Sequence, residues 1–182
     1  MRLGLLLLYL GLPAAVLGQF SSSANSGAAT NTGYNGTAAT VAIPASISNL
    51  SVTAIGRLAF YNSSISSVTL PASVTNIDDY AFDGCANLTN VTTANASIAI
   101  GTGAFMYCSS LSSFAIPYSA SLGNWVFFYD GDLTNAPIPA GVTNIGEGVF
   151  GYCTALGAIT VTPTTRPSAA WLELCLTRAR PT

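Results

Sequence analysis

The chain has 182 residues, with five Lys plus Arg, seven Asp plus Glu and no His. All five basic residues are Arg, and charged residues make up 7% of the chain, against about 25% in an ordinary soluble domain. Without His, catalytic triads and most catalytic zinc sites cannot be built, and without Lys, Walker-type phosphate loops and Schiff-base chemistry are excluded. A net charge of −2 leaves no basic footprint for nucleic acid. We therefore predict a protein that is not an enzyme, needs no cofactor or metal, and does not bind nucleic acid.

Residues 1–18 are predicted to be a secretory signal peptide. After a minimal charged start, residues 3–12 form a nearly unbroken apolar run, and Val16 and Gly18 suit cleavage before Gln19. The run is shorter than the roughly 18 apolar residues that a membrane span needs, and it has the three-part order of a signal. An uncleaved anchor is the alternative. We expect a secreted or cell-surface protein with no membrane span after signal cleavage.

Residues 19–40 contain Ser, Asn, Gly, Thr and Ala with almost no large apolar side chains. Such a segment buries too little surface to offset its ordering entropy, so it is predicted to be a flexible leader. Six N-x-S/T sequons agree with an exported glycoprotein. They lie at Asn35, Asn49, Asn62, Asn87, Asn90 and Asn95.

An internal repeat begins near residue 41. Its clearest members are five phenylalanines spaced by 22, 23, 22 and 23 residues, at Phe60, Phe82, Phe105, Phe127 and Phe150. Five residues before each lies an aliphatic: Ile55, Ile77, Ile100, Leu122 and Ile145. A period in the low twenties is typical of a solenoid, whose coils are each too small to bury their own apolar face. We predict a mainly β solenoid of about five coils over residues 41–163.

Short strands are predicted within each coil. Residues 66–70 and 156–161 have alternating or β-branched character, and Pro71 and Pro139 follow strand-like pairs. Proline lacks the N–H that a further ladder bond requires, so it ends the strand. Successive coils should stack strand on strand at about 4.8 Å, with the Phe, Ile and Leu positions aligned inside.

These residues resemble the BspA-type leucine-rich repeats, whose approximate unit is I-P-x-S-V-T-x-I-G-x-x-A-F-x-x-C-x-x-L-x-x-V. Residues 70–77 with Ala81-Phe82, Cys85 and Leu88 follow this unit almost completely, and residues 138–156 do so again. The resemblance implies a right-handed leucine-rich-repeat solenoid with short stacked strands. It further implies a secreted or surface module that binds or adheres to a protein ligand, without a catalytic site. A structural component of a cell wall or extracellular matrix, with no discrete ligand, is the alternative.

Two copies depart from the family unit. The third lacks the Pro-Ser-Val-Thr segment, and the fourth has Asp130 where the family places Cys. Both departures place regular stacking of these coils in doubt. Asp130-Gly131-Asp132 is interpreted as a solvated turn rather than a calcium loop, because most ligands of such a loop are missing.

Cys85 and Cys108 occupy equivalent positions in adjacent coils. Their Cα atoms should be about 5 Å apart, which falls within the range for a disulfide. The alternative is a ladder of small buried thiols, which is the commoner use of this position in the family that the chain resembles.

Aromatic residues crowd the fourth copy, where Phe127 alone fills the repeated position. Trp125, Phe128 and Tyr129 could form an exposed binding patch, because Trp and Tyr are frequent interface anchors. The alternative is that they fill a local distortion of the core. Beyond the repeat, residues 164–182 hold three of the five Arg and are predicted to be a C-terminal cap or a non-homologous tail.

Overall fold

The computed structural model describes residues 19–162 of the chain. This part contains thirteen short β-strands, joined by turns, and no helix. No helix of this part is long and apolar enough to cross a bilayer. The predicted signal peptide at 1–18 and the predicted cap or tail at 164–182 lie outside the described residues. In chain order the strands are β1 (Phe20–Asn25), β2 (Ala28–Tyr34), β3 (Thr40–Ala42), β4 (Ser46–Ile47), β5 (Leu50–Ile55), β6 (Ser67–Leu70), β7 (Asn76–Ile77), β8 (Asn90–Thr93), β9 (Ala99–Ile100), β10 (Ser121–Leu122), β11 (Asn135–Ile138), β12 (Asn144–Ile145) and β13 (Ala158–Val161).

One strand of each coil contributes to a continuous parallel sheet. Strands β5, β7, β9, β10 and β12 pair in that order, each with the next repeat along the chain. The last residue of each strand points inward, and these residues are aligned in register and buried: Ile55, Ile77, Ile100, Leu122 and Ile145. Because neighbours in the sheet are one repeat apart, the chain completes one coil per repeat. The stacking that the departures in the third and fourth copies placed in doubt is regular on this face.

The core is a column of stacked rings. We number coils 1 to 5 by their buried phenylalanines, Phe60, Phe82, Phe105, Phe127 and Phe150. Successive ring centroids lie 4.8, 5.1, 5.7 and 5.6 Å apart with interplanar angles of 14°, 4°, 9° and 4°. Such near-parallel contacts add to the burial of the rings themselves. The predicted β-solenoid is confirmed, with five coils and a sixth begun by β13.

The second face of the solenoid is divided in two. Strands β3, β6 and β8 form one parallel sheet, and β11 and β13 form another. Between them, Ser113 of coil 4 makes only an isolated bridge to Asn135. Next to it, the Phe114 ring occupies a position that holds Val91 one coil earlier, and its centroid lies 5.1 Å from those of the two adjoining ladder rings. The larger side chain needs more room than a valine, which accounts for the interrupted strand.

Residues 20–34 correct the prediction of a flexible leader over 19–40. They form an antiparallel hairpin, β1–β2, and β2 pairs in parallel with β5. The turn has positive φ at Ser26 and Gly27 (50° and 82°), as two-residue hairpin turns prefer. Phe20 and Tyr34 extend the ring column, because Tyr34 stacks on the first ladder ring at 5.4 Å. The hairpin covers the apolar end of the first coil. The surface buried there offsets the ordering entropy of a segment whose own side chains are mostly small.

Candidate binding surface

The turns after the first sheet form a continuous surface that we call the turn ridge. It comprises residues 56–63, 78–85, 101–108, 123–130 and 146–153. In each of coils 1 to 4, three alternate backbone N–H groups of the ridge donate to carbonyls of the next coil, at 2.8–3.4 Å. In coil 4 the donors are Trp125, Phe127 and Tyr129, at 2.8, 2.9 and 2.9 Å. The aromatic cluster of the fourth copy therefore stands on a regular backbone, not on a distorted one.

Two positions of every ridge turn have left-handed backbone. The first column comprises Leu58, Tyr80, Gly103, Trp125 and Gly148, with φ of 55–59°. The second column comprises Asn62, Gly84, Tyr107, Tyr129 and Tyr152, with φ of 53–75°. Glycine and asparagine adopt this conformation at low cost, whereas a bulky side chain is strained in it. Six of these ten positions nevertheless carry a bulky residue.

In the first column, large rings alternate with glycine from coil 2 onward. A Cβ added at Gly103 would lie 2.6 Å from the Tyr80 ring, and one added at Gly148 would lie 2.6 Å from the Trp125 indole. Each ring therefore leans over the glycine of the following coil. This arrangement holds Trp125 in place while 40% of its surface stays exposed.

In the second column, three tyrosines stack across coils 3, 4 and 5. The Tyr107 and Tyr129 centroids lie 5.2 Å apart with planes at 20°, and those of Tyr129 and Tyr152 lie 4.5 Å apart with planes at 1°. The half-buried Phe128 ring stands edge-on to both Tyr129 and Tyr152. The three tyrosines are 42–48% exposed, so the stack forms an ordered outer surface.

The structure thus places the three residues of the predicted patch on one ridge. Trp125 and Tyr129 are exposed, whereas Phe128 is half-buried and supports the tyrosines. Sequence reasoning did not include Tyr107 and Tyr152 in the patch. Their distances of 22 and 23 residues from Tyr129 were the available signal, because one repeat is one step along the stack.

Cys85 and Cys108 are free and buried, so the predicted disulfide is not formed in the structure. The Cys85 thiol donates to the carbonyl of Phe60 at 3.0 Å, and the Cys108 thiol donates to that of Phe82 at 3.2 Å. Cys153 does the same toward Phe127 at 2.9 Å. Each thiol thus points to the preceding coil's phenylalanine carbonyl. Burial raises the pKa of Cys108 well above its ordinary value and that of Cys153 to about 12, so both stay protonated.

Asp130 takes the thiol position of coil 4 and is fully buried, which corrects its interpretation as a solvated turn residue. Neither carboxyl oxygen has a hydrogen-bond partner among the described residues. Burial raises the pKa of Asp130 to about 9, although the backbone of Cys108 acts in the opposite direction and lowers the pKa in part. The side chain is therefore a neutral acid near pH 7. Asp132 is exposed, so the two carboxyls do not converge.

The predicted glycosylation sites differ in accessibility. Asn35, Asn49, Asn62, Asn87 and Asn90 are exposed. Asn95 is half-buried, and its side-chain amide donates to the carbonyl of Val74 at 2.8 Å. All six sequons precede Tyr107, the first of the stacked tyrosines.

Comparison with known proteins gives a family match over most of the chain. A family model described as a BspA type leucine rich repeat region matches residues 38–166 in six copies. No match was found among curated proteins.

Solved structures agree with this match. A leucine rich repeat protein of T. pallidum has a TM-score of 0.75 and 31% identity, over 78% of this chain and 68% of that one. A leucine rich cell surface protein of Faecalibacterium prausnitzii has a TM-score of 0.74 and 32% identity, over 80% of this chain and 41% of that one. A leucine-rich repeat protein of Bacteroides ovatus has a TM-score of 0.71 and 25% identity, over 78% and 39%. The chain thus spans about two fifths of the length of the last two.

Proposed function

The chain belongs to the BspA-type leucine-rich repeat family, and from this premise we propose that it is a protein-binding or adhesion module, secreted or displayed at the cell surface. The F. prausnitzii relative is described as a cell surface protein, which supports this location. The proposed binding surface is the aromatic part of the turn ridge in coils 3 to 5. It comprises Tyr107, Trp125, Phe128, Tyr129 and Tyr152.

The observation that carries the proposal is where large apolar side chains are exposed. Seven residues of this kind are exposed in the described part of the chain, and every one except Tyr118 lies on the turn ridge. Trp and Tyr are the residues most often found to dominate binding energy at interfaces. The outward positions of the strands carry small polar residues instead, such as Thr69 and Thr92. The ridge is therefore the face best suited to hold a protein partner.

Backbone strain on the ridge supports the same conclusion. A bulky residue in left-handed backbone costs on the order of 1 kcal/mol relative to glycine. At Trp125 and Tyr129 this cost is not offset by full burial, because both side chains are about two-fifths exposed. Coil 2 shows that the second position accepts glycine, since Gly84 stands there. Folding alone does not require the aromatic residues, and a partner that contacts them would explain their presence.

The distribution of charge and sequons narrows the kind of partner. The chain has 7% charged residues, and the exposed charged residues nearest in sequence to Trp125, Tyr129 and Tyr152 are two acids, Asp132 and Glu147. Binding should therefore depend on apolar contact and hydrogen bonds and respond weakly to salt. None of the exposed sequons lies in the ridge segments of coils 3 to 5, so glycans attached to them would leave the aromatic surface open.

Binding to immobilised, purified extracellular-matrix proteins tests the proposal, with the whole chain as analyte. We expect the Trp125→Ala, Tyr129→Ala double variant to bind at least about 30-fold more weakly, because truncation of interface anchors costs about 2 kcal/mol or more. Tyr118→Ala is the matched control, since Tyr118 is equally large and 54% exposed but lies off the ridge.

Two outcomes would contradict the proposal. If both variants bind like the original chain, the ridge is not the contact surface. If the original chain retains none of the proteins, the structural cell-wall or matrix role is favoured instead, and the small uncharged side chains of the strand faces suit that role.

A further inference from the structure

We propose that Tyr129 and Tyr152 are an oxidative cross-linking site, at which a one-electron oxidant joins the two phenol rings by a carbon–carbon bond within one chain. This inference rests on the geometry of the tyrosine stack. It does not depend on the proposed binding function.

The two rings lie parallel and within contact distance of each other. Their centroids lie 4.5 Å apart and their planes differ by 1°. The Tyr107 and Tyr129 pair is wider and more tilted, at 5.2 Å and 20°. Tyr129 and Tyr152 therefore form the best-aligned pair of phenols in the described part of the chain.

Neighbouring groups hold this pair in place. The Tyr129 backbone N–H donates to the carbonyl of Gly151 at 2.9 Å, which fixes the relative height of coils 4 and 5. The Phe128 ring packs edge-on against both phenols, at 4.9 and 5.2 Å. Groups fixed at contact distance react with effective molarities far above any protein concentration in solution. Coupling within the chain should therefore outcompete coupling between chains.

The pair is also accessible to an oxidant. Each phenol is 42% exposed, so an external agent can reach it and its proton can pass to water. Tyr61 and Tyr118 are more exposed, at 54%, but neither has an aromatic ring contact among residues 19–162. These two residues can be oxidised, but neither has a partner ring in the described part of the chain.

The reaction balances with a peroxidase-type oxidant. Each phenol loses one electron and one proton, which gives two tyrosyl radicals. The radicals combine between ring carbons ortho to the oxygens, and the two hydrogens on those carbons move to the oxygens, restoring both phenols. Hydrogen peroxide accepts the two electrons and two protons and leaves as two molecules of water. The product is a dityrosine that links coils 4 and 5.

The test is oxidation of the whole chain with a heme peroxidase and hydrogen peroxide at low protein concentration. The monomer should acquire dityrosine fluorescence. Cleavage beside Asp132 and Glu147 separates the two tyrosines, so mass spectrometry should find their peptides joined with the loss of two hydrogens. Tyr129→Phe should lower the monomer signal about tenfold, because the phenol is lost while a ring stays in the stack.

Matched variants decide between the outcomes. Tyr61→Phe should leave the monomer signal unchanged, and circular dichroism checks that each variant keeps its fold. Tyr152→Phe should lower the signal less than Tyr129→Phe, because Tyr107 can still couple to Tyr129. The proposal is overturned if dityrosine forms only in dimers, if Tyr129→Phe leaves the monomer signal intact, or if the dominant peptide joins a different pair.

Discussion

Coils 2 and 4 follow the same backbone path, although their side chains differ at seven of the eight ridge positions. Tyr80 corresponds to Trp125, Gly84 to Tyr129, and Cys85 to Asp130. The backbone angles hardly differ, since φ is 57° at Tyr80 and 55° at Trp125. The ladder N–H bonds are also alike, at 2.8 Å from Phe82 and 2.9 Å from Phe127.

The comparison shows which positions determine the path of the chain. The buried phenylalanine and the ridge hydrogen bonds are common to both coils, so they are sufficient to form the turn. The left-handed positions accept glycine or tyrosine without a change of path. The thiol position accepts a carboxylic acid, although the acid has no hydrogen-bond partner in the described residues. Coil 4 therefore carries an aromatic surface and an internal energetic cost that coil 2 does not.

The largest expected effect is the loss of a ladder ring. Phe82→Ala and Phe127→Ala should each lower the free energy of unfolding by about 4 kcal/mol, because each buried ring stacks between two others. Urea unfolding of the two variants measures this loss, with the exposed Tyr118→Ala as control. A much smaller loss at Phe127 would contradict the conclusion that coils 2 and 4 share one core.

A smaller but more specific effect is expected from Asp130→Cys, which gives coil 4 the side chain of coil 2. The pKa of Asp130 is about 9 in the fold, against an ordinary 3.8. Because the pKa of Asp130 is raised in the folded state, the contribution of this residue to stability is most favourable below pH 4. That contribution falls by about 1.4 kcal/mol per pH unit as pH rises toward 9. Near pH 7 the variant should therefore be more stable by on the order of 4 kcal/mol, reduced by any unfavourable packing of the new thiol.

Urea unfolding at pH 5 and pH 8 under reducing conditions checks the effect of Asp130. The new thiol ionises in the unfolded chain only above about pH 8, and the remaining titrating groups are shared by both chains, so the difference in stability should widen between pH 5 and pH 8. Cys85→Asp is the reciprocal control and should transfer the same pH dependence to coil 2. A difference that stays constant with pH would show that Asp130 is not a buried neutral acid.

A modest effect is expected where Trp125 leans on the next coil. Gly148→Ala should lower stability by about 1–2 kcal/mol and shift the emission of Trp125, because the position has φ of 58° and the added methyl would meet the indole. Gly131→Ala is the control, since its Cβ would meet only Thr154 Oγ1 at 3.8 Å. Replacement of Trp171 by Phe in both variants makes Trp125 the reporter. If Gly148→Ala and Gly131→Ala show the same Trp125 emission and the same stability, the conclusion that Trp125 leans over Gly148 is contradicted.

The smallest effect on stability is expected from the sequons, all of which precede Tyr107 in the chain. In a host that attaches N-glycans, Asn87 should be modified readily, because it is exposed and its side chain has no hydrogen-bond partner in the described region. Asn95 should be modified poorly, since its amide nitrogen is bonded to the Val74 carbonyl. Mass spectrometry of Asn87→Gln and Asn95→Gln checks this, and preferential modification of Asn95 would contradict it. The free energy of unfolding should change by less than about 0.5 kcal/mol in Asn87→Gln.

The repeat was predictable from sequence because its determinants recur. Ladder positions such as Phe60 and Phe82 repeat one residue type at one spacing, and a solenoid converts that spacing directly into contact. The exposed aromatic residues Trp125 and Tyr129 were identified for the same reason, since Phe127 between them was already assigned to the core.

Two other features were not predictable because they depend on tertiary context. Residues 20–34 consist mainly of small polar side chains, and their hairpin forms because it covers the end of the first coil. The charge of Asp130 favours solvent, but the repeat places that position in the interior, whichever residue occupies it. Tyr107 and Tyr152 were not joined to Tyr129 in the predicted patch, because the sequence alone does not show which outward rings stack on one another.

The ridge hydrogen bonds described above also impose a rule on chain length. Each of coils 2 to 4 donates three N–H groups forward and accepts three from the coil before it, so the upper and lower edges of these coils are complementary. A duplicated block of 22 or 23 residues would fit between existing coils and renew every bond, whereas an insertion of half that length in the ridge would leave donors facing the wrong groups. Whole-coil duplication is therefore the tolerated route by which such a protein grows or shrinks.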